Sequence, residues 1–216
     1  MISFTLLSAL STYYFIMFVT PGPNNAMLTA SAMKYGFVRT LPHLIGIPTG
    51  HIIQISLVCL GLGNLFIQFP ELQFYLKIMC FFYLLYLSWT ILGSLNLAKK
   101  KSGRPLKLYE AALFQFINPK AWTIAVTVVS AFFPTEENFY LATIFLTSTA
   151  ALICFPSICV WAIFGNSLRI YINNEKIKKL IEYILAILLV ITAVYILIRI
   201  IFDFYSLLLI YIWSNA

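Results

Sequence analysis

Six long apolar segments take up most of this sequence and limit what it can fold into. Their approximate limits are 3–33, 42–64, 72–96, 111–133, 138–165 and 180–201. A helix that spans a membrane needs roughly 20 mostly apolar residues. The 216 residues are 10% charged, with a mean hydropathy of +0.93, whereas soluble domains are about 25% charged. The sequence therefore predicts an all-α integral membrane protein with six transmembrane helices.

Most of the charged residues lie in the short loops between these segments. The net charge is +7, and most of the 14 basic residues fall in the first, third and fifth loops. The second and fourth loops carry Glu71, Glu136 and Glu137. Because cytoplasmic loops carry an excess of Lys and Arg, both termini are expected outside the cytoplasm. Basic residues confined to such loops do not indicate a nucleic-acid partner. The first lysine is Lys34, so the first segment is expected to remain as a membrane helix rather than to be cleaved.

The first apolar segment is interrupted by Thr-Pro-Gly-Pro-Asn-Asn at 20–25. Proline removes a backbone donor and breaks the helical hydrogen-bond ladder. Broken backbone at membrane depth is tolerated where protein or a water-filled cavity satisfies its polar groups. We interpret Thr20 as the N-cap and Pro21 as the first residue of a new half-helix. The alternative is a proline kink in which Thr20 bonds back to a freed carbonyl.

A matching interruption occurs in the second half of the chain. Phe-Val-Thr-Pro at 18–21 aligns with Phe-Ile-Asn-Pro at 116–119, an offset of 98 residues. Together with the loop charges, this match predicts two inverted three-helix repeats with broken helices 1 and 4, a common transporter plan. The predicted single membrane domain comprises repeat 1 at about 1–97, a cytoplasmic basic loop at about 98–110, repeat 2 at about 111–201 and an apolar tail at 202–216. The tail either extends the sixth helix or lies at the membrane interface.

The two interruptions suggest a site for a carboxylate. The N-terminus of a half-helix presents free N–H groups and a partial positive charge, and two of them facing each other would suit an anionic group. Lys120 adds a full charge there, unless its side chain snorkels to the cytoplasmic interface. The candidate substrate-binding residues are Thr20, Pro21, Gly22, Pro23, Asn24, Asn25, Gln54, Asn118, Pro119, Lys120 and Thr123.

The second segment carries two further features. Gly46 and Gly50 stand four residues apart, a spacing that permits close approach of another helix. His51 is the candidate for proton coupling, and a hydrogen-bonded structural histidine is the alternative. His43 lies near the end of its segment and is expected to snorkel. No acidic residue lies in the middle of a segment, so a carboxylate proton relay is not expected.

Several motifs resemble those of the LysE/RhtB family of amino-acid exporters. They are TPGPNNAMLTASAMKYGFVRTLPHLIGIPTG, YLLYLSWTIL and FQFINPKAW, and the likeness covers nearly the whole chain. TPGPNN and CVWAIFGNSL are most similar to the cysteine/O-acetylserine exporter branch. The resemblance implies six helices in two inverted halves, in a bacterial inner membrane, and secondary active export coupled to protons. By motif match, the functional positions of the family fall on Pro21 to Asn25 and on Asn118 to Lys120.

We therefore expect export of small neutral amino acids or derivatives, either cysteine/O-acetylserine-like or threonine/homoserine-like. Basic amino acids are the alternative. An inorganic cation transporter would need clustered carboxylates or Cys/His ligands, and a thiol-redox carrier would need a reactive cysteine pair; neither pattern is present. A zinc hydrolase would need HExxH, which is also missing. We expect no enzymatic activity, cofactor or metal. The partners are an amino acid, protons and the lipid bilayer, with a homo-oligomer left open.

Overall fold

The computed structural model describes residues 2–62, 68, 70–93, 95, 104–134 and 137–214. Every regular element among these residues is helical. The eight α-helices are α1 Phe4–Val19, α2 Pro23–Tyr35, α3 Phe37–Leu57, α4 Pro70–Ile91, α5 Leu108–Ile117, α6 Pro119–Phe132, α7 Phe139–Leu168 and α8 Glu175–Ser214. A π-helical turn, Val58–Leu62, continues α3, and a 3-10 turn, Arg169–Tyr171, continues α7.

Three helical stretches are long and apolar enough to cross a membrane by themselves: Phe37–Gly61, Phe139–Tyr171 and Glu175–Ile198. Two bent pairs pass the same test together. The axes of α1 and α2 meet at 55°, and those of α5 and α6 meet at 74°. The structure thus contains up to five candidate spans, and predicted helices 1 and 4 are both broken. The apolar part of α4, Lys77–Ile91, is shorter than a full crossing needs, so the sixth span remains a prediction.

The structure corrects one predicted boundary and decides between the two alternatives for the tail. Gly36 alone separates α2 from α3, so the first loop is much shorter than expected. Its φ of +86° is a conformation that glycine adopts readily, and it lets the chain reverse in one residue. At the other end, α8 continues to Ser214, so the backbone of the tail extends the last helix. Residues 98–103 of the predicted basic loop lie outside the described residues.

The buried apolar side chains form two clusters, and α2 contributes to both. Leu28 and Ala32 belong to the first cluster, which also includes side chains from α1, α3, α5, α6 and α7. Ala26 and Met33 belong to the second, together with side chains from α4, α5 and α8. The half-helix that follows the first break is therefore held from both sides, which fixes the position of its N-terminus.

Glycines set the closest helix contacts. A Cβ added to Gly46 would lie 2.3 Å from the Leu108 carbonyl oxygen, and one added to Gly50 would lie 2.5 Å from that of Ala112. The glycine pair therefore brings α3 against α5, as its spacing predicted. Gly165 allows α7 an equally close contact with α2, where a Cβ would lie 2.3 Å from the carbonyl oxygen of Thr29.

The buried carboxylate of Glu182 links the end of α4 to α8. Glu182 on α8 accepts hydrogen bonds from the backbone N–H groups of Gly93, at 2.9 Å, and Leu95, at 2.8 Å. These amides follow the end of α4, and Glu182 is 4% exposed. A buried charge of this kind is costly unless it is hydrogen-bonded. Glu182 therefore fixes the end of α4 against α8, close to where α8 begins.

Candidate functional site

The first break is a true interruption, and the helix that follows it begins later than the sequence suggested. Thr20 ends α1 as its C-cap, in an extended conformation, and its hydroxyl donates back to the carbonyl of Ile16. Gly22 is also extended, at φ 177° and ψ −176°, and α2 begins at Pro23. The prediction of Thr20 as N-cap and Pro21 as first helical residue was therefore wrong. A residue before proline is driven out of the helical region, so the second proline delays α2 by two residues.

The carbonyl groups freed at this break are satisfied by side chains. Asn25 donates from its Nδ2 to the carbonyls of Phe18, at 2.9 Å, and Thr20, at 2.8 Å. The indole N–H of Trp161, on α7, donates to the carbonyl of Val19 at 3.0 Å. Unpaired carbonyls in hydrocarbon are costly, so these bonds allow the break to exist inside a membrane segment.

The second break follows the predicted arrangement. Asn118 caps α6, its Oδ1 accepting from the N–H of Lys120 at 3.1 Å, and Pro119 is the first helical residue. The indole N–H of Trp122 donates to the carbonyl of Phe116 at 2.9 Å, and the thiol of Cys80 donates to that of Ile117.

The two breaks thus share a set of donors that the sequence alone did not single out. Each pairs a freed carbonyl with a tryptophan indole, Trp161 at the first break and Trp122 at the second. Trp122 lies within the FQFINPKAW motif, which was a usable signal. Trp161 is 142 residues from its acceptor, and no local pattern could have indicated that contact.

Lys120 connects the two breaks. Its side chain leaves the N-terminus of α6, and its Nζ donates to the carbonyl of Thr20 at 2.9 Å and to that of Pro21 at 3.4 Å. Its ammonium is therefore held at the first break. Gly22 gives it room, because a Cβ at that position would lie 3.3 Å from the Lys120 Cδ.

A small cavity lies between the breaks, and we call it the site cavity. Its volume is about 20 Å³, which is enough for about one water molecule. Seven of the residues predicted from sequence line it: Gly22, Pro23, Asn24, Asn25, His51, Asn118 and Lys120. Apolar side chains complete the wall, from Met17, Phe18, Ala121, Ile124 and Ile158. None of these residues is acidic.

Two polar atoms on this wall lack partners among the described residues. They are the Nδ1 of His51 and the Oδ1 of Asn25, both buried. The imidazole of His51 contacts the ring of Phe18 edge-on, with the ring centroids 5.0 Å apart. Buried polar atoms are nearly always hydrogen-bonded, so the Oδ1 of Asn25 is available to accept from a ligand and the Nδ1 of His51 to bind a ligand or a proton.

The side chain of Asn24 pairs with Gln115, a residue that the sequence did not single out. Its Nδ2 donates to Oε1 of Gln115 at 2.9 Å, and the Nε2 of Gln115 returns a bond to its Oδ1 at 3.2 Å. Gln115 is fully buried and comes from α5, just before the second break. This amide pair links the half-helix after the first break to the half-helix before the second.

The other candidates lie around the site cavity without lining it. The Nε2 of Gln54 donates to the carbonyl of Gln115 at 3.2 Å, and the hydroxyl of Thr123 donates back to Pro119 at 3.1 Å. Thr20 and Pro21 contribute only their backbone carbonyls to Lys120. Gln54 therefore bonds to the backbone just before the second break, and Pro119 begins the helix after it. The hydroxyl of Thr123 is bonded within its own helix.

The family follows from comparison of the sequence with known proteins. A family model described as "LysE type translocator" matches residues 15–199, which includes both breaks, His51 and Lys120. The chain belongs to the LysE type translocator family. That resemblance was recognised from its motifs, and the family match confirms it.

Curated relatives of this LysE type translocator match it over nearly their whole length. The chain is 30% identical over 193 residues to proteins named "Cysteine/O-acetylserine efflux protein" from Escherichia coli K12 and Shigella sonnei, covering 88% of this chain and 96% of theirs. A protein of the same name from Salmonella paratyphi A is 30% identical over 191 residues. No solved structure matches the chain. The names of the family and relatives indicate a transporter and not an enzyme.

The described part of this translocator offers no metal site. No group of three or more His, Cys, Asp or Glu side chains comes together there. All four cysteines are free, and Cys80 and Cys154 are buried. Cys80 supports the second break through the carbonyl of Ile117, which is a structural contact.

Proposed function

We propose that this chain is a secondary active transporter that exports small neutral amino acids or their derivatives from the cytoplasm. The relatives named as cysteine/O-acetylserine efflux proteins support cargo of that kind. We place it in the bacterial inner membrane with both termini outside the cytoplasm, as the basic loops indicate. The substrate would bind between the two breaks, with its carboxylate at the N-termini of α2 and α6.

The single observation that carries this proposal is the position of the Lys120 ammonium. It rests on the carbonyl of Thr20 at 2.9 Å and that of Pro21 at 3.4 Å, so the first break accepts an ammonium group. A zwitterionic substrate supplies both an ammonium group and a carboxylate. Its ammonium would take these carbonyls, and Lys120 would turn to its carboxylate. Both charged groups of an amino acid would then have a partner in the site cavity, whose described lining has no acidic side chain.

The same wall supports a neutral substrate over a basic one. Lysine or arginine would bring a second positive charge beside Lys120, and no carboxylate lines the site cavity to balance it. Unbalanced charge in a membrane interior is expensive. The unpartnered Oδ1 of Asn25 suits instead a polar, uncharged side chain or the substrate ammonium.

The site cavity is too small for an amino acid at about 20 Å³, so transport requires the two breaks to move apart. We propose that they separate as parts of two inverted repeats, about 1–97 and 111–201. The helix pairings between these repeats follow one symmetric pattern, which supports their inverted relation: α3 packs on α5, the first half of the second broken helix, while α7 packs on α1 and α2. The third helices of the two repeats, α4 and α8, pack on each other.

We also propose that export is coupled to protons and that His51 carries the proton. Its imidazole is 1% exposed, lines the site cavity and has an unpartnered Nδ1. Lys120 lines the same cavity, so a proton on His51 and the ammonium of Lys120 would repel each other. A proton on His51 would likewise repel the substrate ammonium, which would link proton binding to release of the substrate.

An efflux panel tests the function. A bacterial strain that lacks its own amino-acid exporters is loaded with labelled cysteine, O-acetylserine, threonine or lysine, and efflux is followed with and without a protonophore. The proposal expects export of one or more neutral amino acids, which the protonophore abolishes. Export of none of the four would overturn it, and export of lysine alone would overturn the claim of a neutral substrate.

A further inference from the structure

A second cavity lies at the other end of α2, and it is much larger than the site cavity. Its volume is about 270 Å³, against about 20 Å³ between the breaks. Its wall comes from the C-terminal part of α2, from α3, from the end of α4 and from residues 104–106. A cavity needs only about 10–15 Å³ to hold one water, so this one has room for a molecule of amino-acid size. On the proposed topology it opens towards the cytoplasm.

Two cationic side chains stand on this wall. Lys34 lies in the last turn of α2, and Arg104 lies four residues before α5 begins at Leu108. Arg104 is also bound to the carboxylate of Glu110, with its NH1 at 2.7 Å and its NH2 at 2.5 Å. Glu110 does not line the cavity, and the guanidinium keeps a further donor, because it has five N–H groups. Glu110 offsets the charge of Arg104, so the positive charge of the wall comes mainly from Lys34, and none of the described residues of the wall is acidic.

A buried histidine completes the wall. His43 was predicted to snorkel, but it is 1% exposed and lines this cavity. Neither of its ring nitrogens has a hydrogen-bond partner among the described residues. A neutral imidazole offers one donor and one acceptor, and burying both without partners is unfavourable. The hydroxyl of Ser31, which is 3.1 Å from that of Thr40, lies on the same wall.

The two cavities lie along one face of α2. Asn24, Met27, Ser31 and Lys34 follow at steps of three and four residues, which places them on one helical stripe. Asn24 lines the site cavity, and the other three line the second cavity. Seven residues separate Asn24 from Ser31, which is about 10 Å along a helix. Asn24, at the end of the stripe that lines the site cavity, is the residue paired with Gln115.

We propose that the second cavity is a binding site for a zwitterionic amino acid, distinct from the site between the breaks. The carboxylate binds Lys34 and Arg104, and the ammonium binds the hydroxyl of Ser31 and the acceptor nitrogen of His43, whose buried imidazole turns towards the cavity to reach it. The proposal rests on the proposed function, since it makes the bound molecule the exported substrate. It adds a site that the substrate occupies first, before the hydrogen bonds between Asn24 and Gln115 break and the substrate moves to the site between the breaks.

Counting bound amino acid tests this proposal. The full-length protein is placed in lipid nanodiscs, and binding of radiolabelled O-acetylserine, cysteine and threonine is measured to saturation. We expect two molecules per chain for wild type, one for His43→Leu and one for Lys120→Met. Lys34→Gln should weaken the second site roughly tenfold, through loss of a charge-assisted bond. Lys107→Gln, the same charge change on an exposed neighbour outside the wall, should change nothing.

Several outcomes would overturn the second site. They are two molecules per chain in His43→Leu, a single molecule in wild type that Lys120→Met abolishes, and no binding at all. If His43→Leu does not fold, as judged by gel filtration, the affinity of the second site in Lys34→Gln is compared with that in Lys107→Gln. Equal affinities would then overturn the second site. Failure of the proposed function would be seen separately. If the wild type exports no amino acid but still binds one molecule, and this binding depends on Lys34, the second site is supported and the transport function is refuted.

Discussion

Replacing Lys120 by methionine separates its contact with the substrate from its contribution to the fold. The variant keeps the length of the side chain and removes the ammonium. Loss of one charge-assisted hydrogen bond to the substrate carboxylate costs about 1.5–3 kcal/mol. Since every 1.4 kcal/mol is a factor of ten, the apparent KM for export should rise about 10- to 100-fold.

The cost to the fold should be much smaller. The carbonyl of Thr20 keeps its bond from Asn25 at 2.8 Å, so only the 3.4 Å contact with the Pro21 carbonyl is lost without replacement. That is a change of about 1 kcal/mol in the free energy of unfolding. Export is measured from proteoliposomes over a range of substrate concentrations, and stability by thermal unfolding in detergent. Lys176→Met, on the exposed start of α8, is the matched control.

Normal KM in Lys120→Met would refute the reasoning, because it would make the ammonium no more than a structural donor to the first break. A loss of folded protein with no measurable change in KM for the remainder would do the same. Lys120→Arg should fall between wild type and methionine, because it keeps the charge but carries it on a planar group.

Three further changes test the construction of the site. Pro119→Ala should lower export more than folded yield, because it mends a break instead of opening a cavity; equal loss of both, measured by efflux and gel filtration, would contradict this. Trp161→Phe should lower the unfolding free energy by about 1–3 kcal/mol, since it leaves a carbonyl of the first break unpaired, whereas Trp89→Phe, at an exposed position, should not. Gly50→Ala should cost about 1–3 kcal/mol, because its Cβ would lie 2.5 Å from a carbonyl oxygen of α5; an unchanged melting temperature would show that α3 and α5 are further apart.

The sequence predicted where the helices break because proline acts locally. Pro21 and Pro119 stop the hydrogen-bond ladder whatever surrounds them, and α1 and α5 both end two residues before them. The start of α2 was misjudged because two prolines compete within three residues. Only the extended conformation of Gly22 shows that Pro23 begins the helix.

Some partners of the first broken helix could not be predicted, because they come from distant parts of the chain. Trp161 and Gln115 meet the first broken helix across 142 and 91 residues. Burial of His43 depends likewise on how α3 packs against α2 and residues 104–106. Periodicity places such residues on a helical face, but it does not say which neighbour covers that face.

Recognition of both ends of an amino acid is the central claim, and competition in proteoliposomes tests it most directly. Efflux of the labelled amino acid identified by the panel is measured against three unlabelled competitors: the same amino acid, its carboxamide and its N-acetyl derivative. Lys120 and the carbonyls of the first break predict that only the free amino acid competes. Equal competition by the carboxamide would contradict a site built for a carboxylate, and equal competition by the N-acetyl derivative would contradict a site built for an ammonium group.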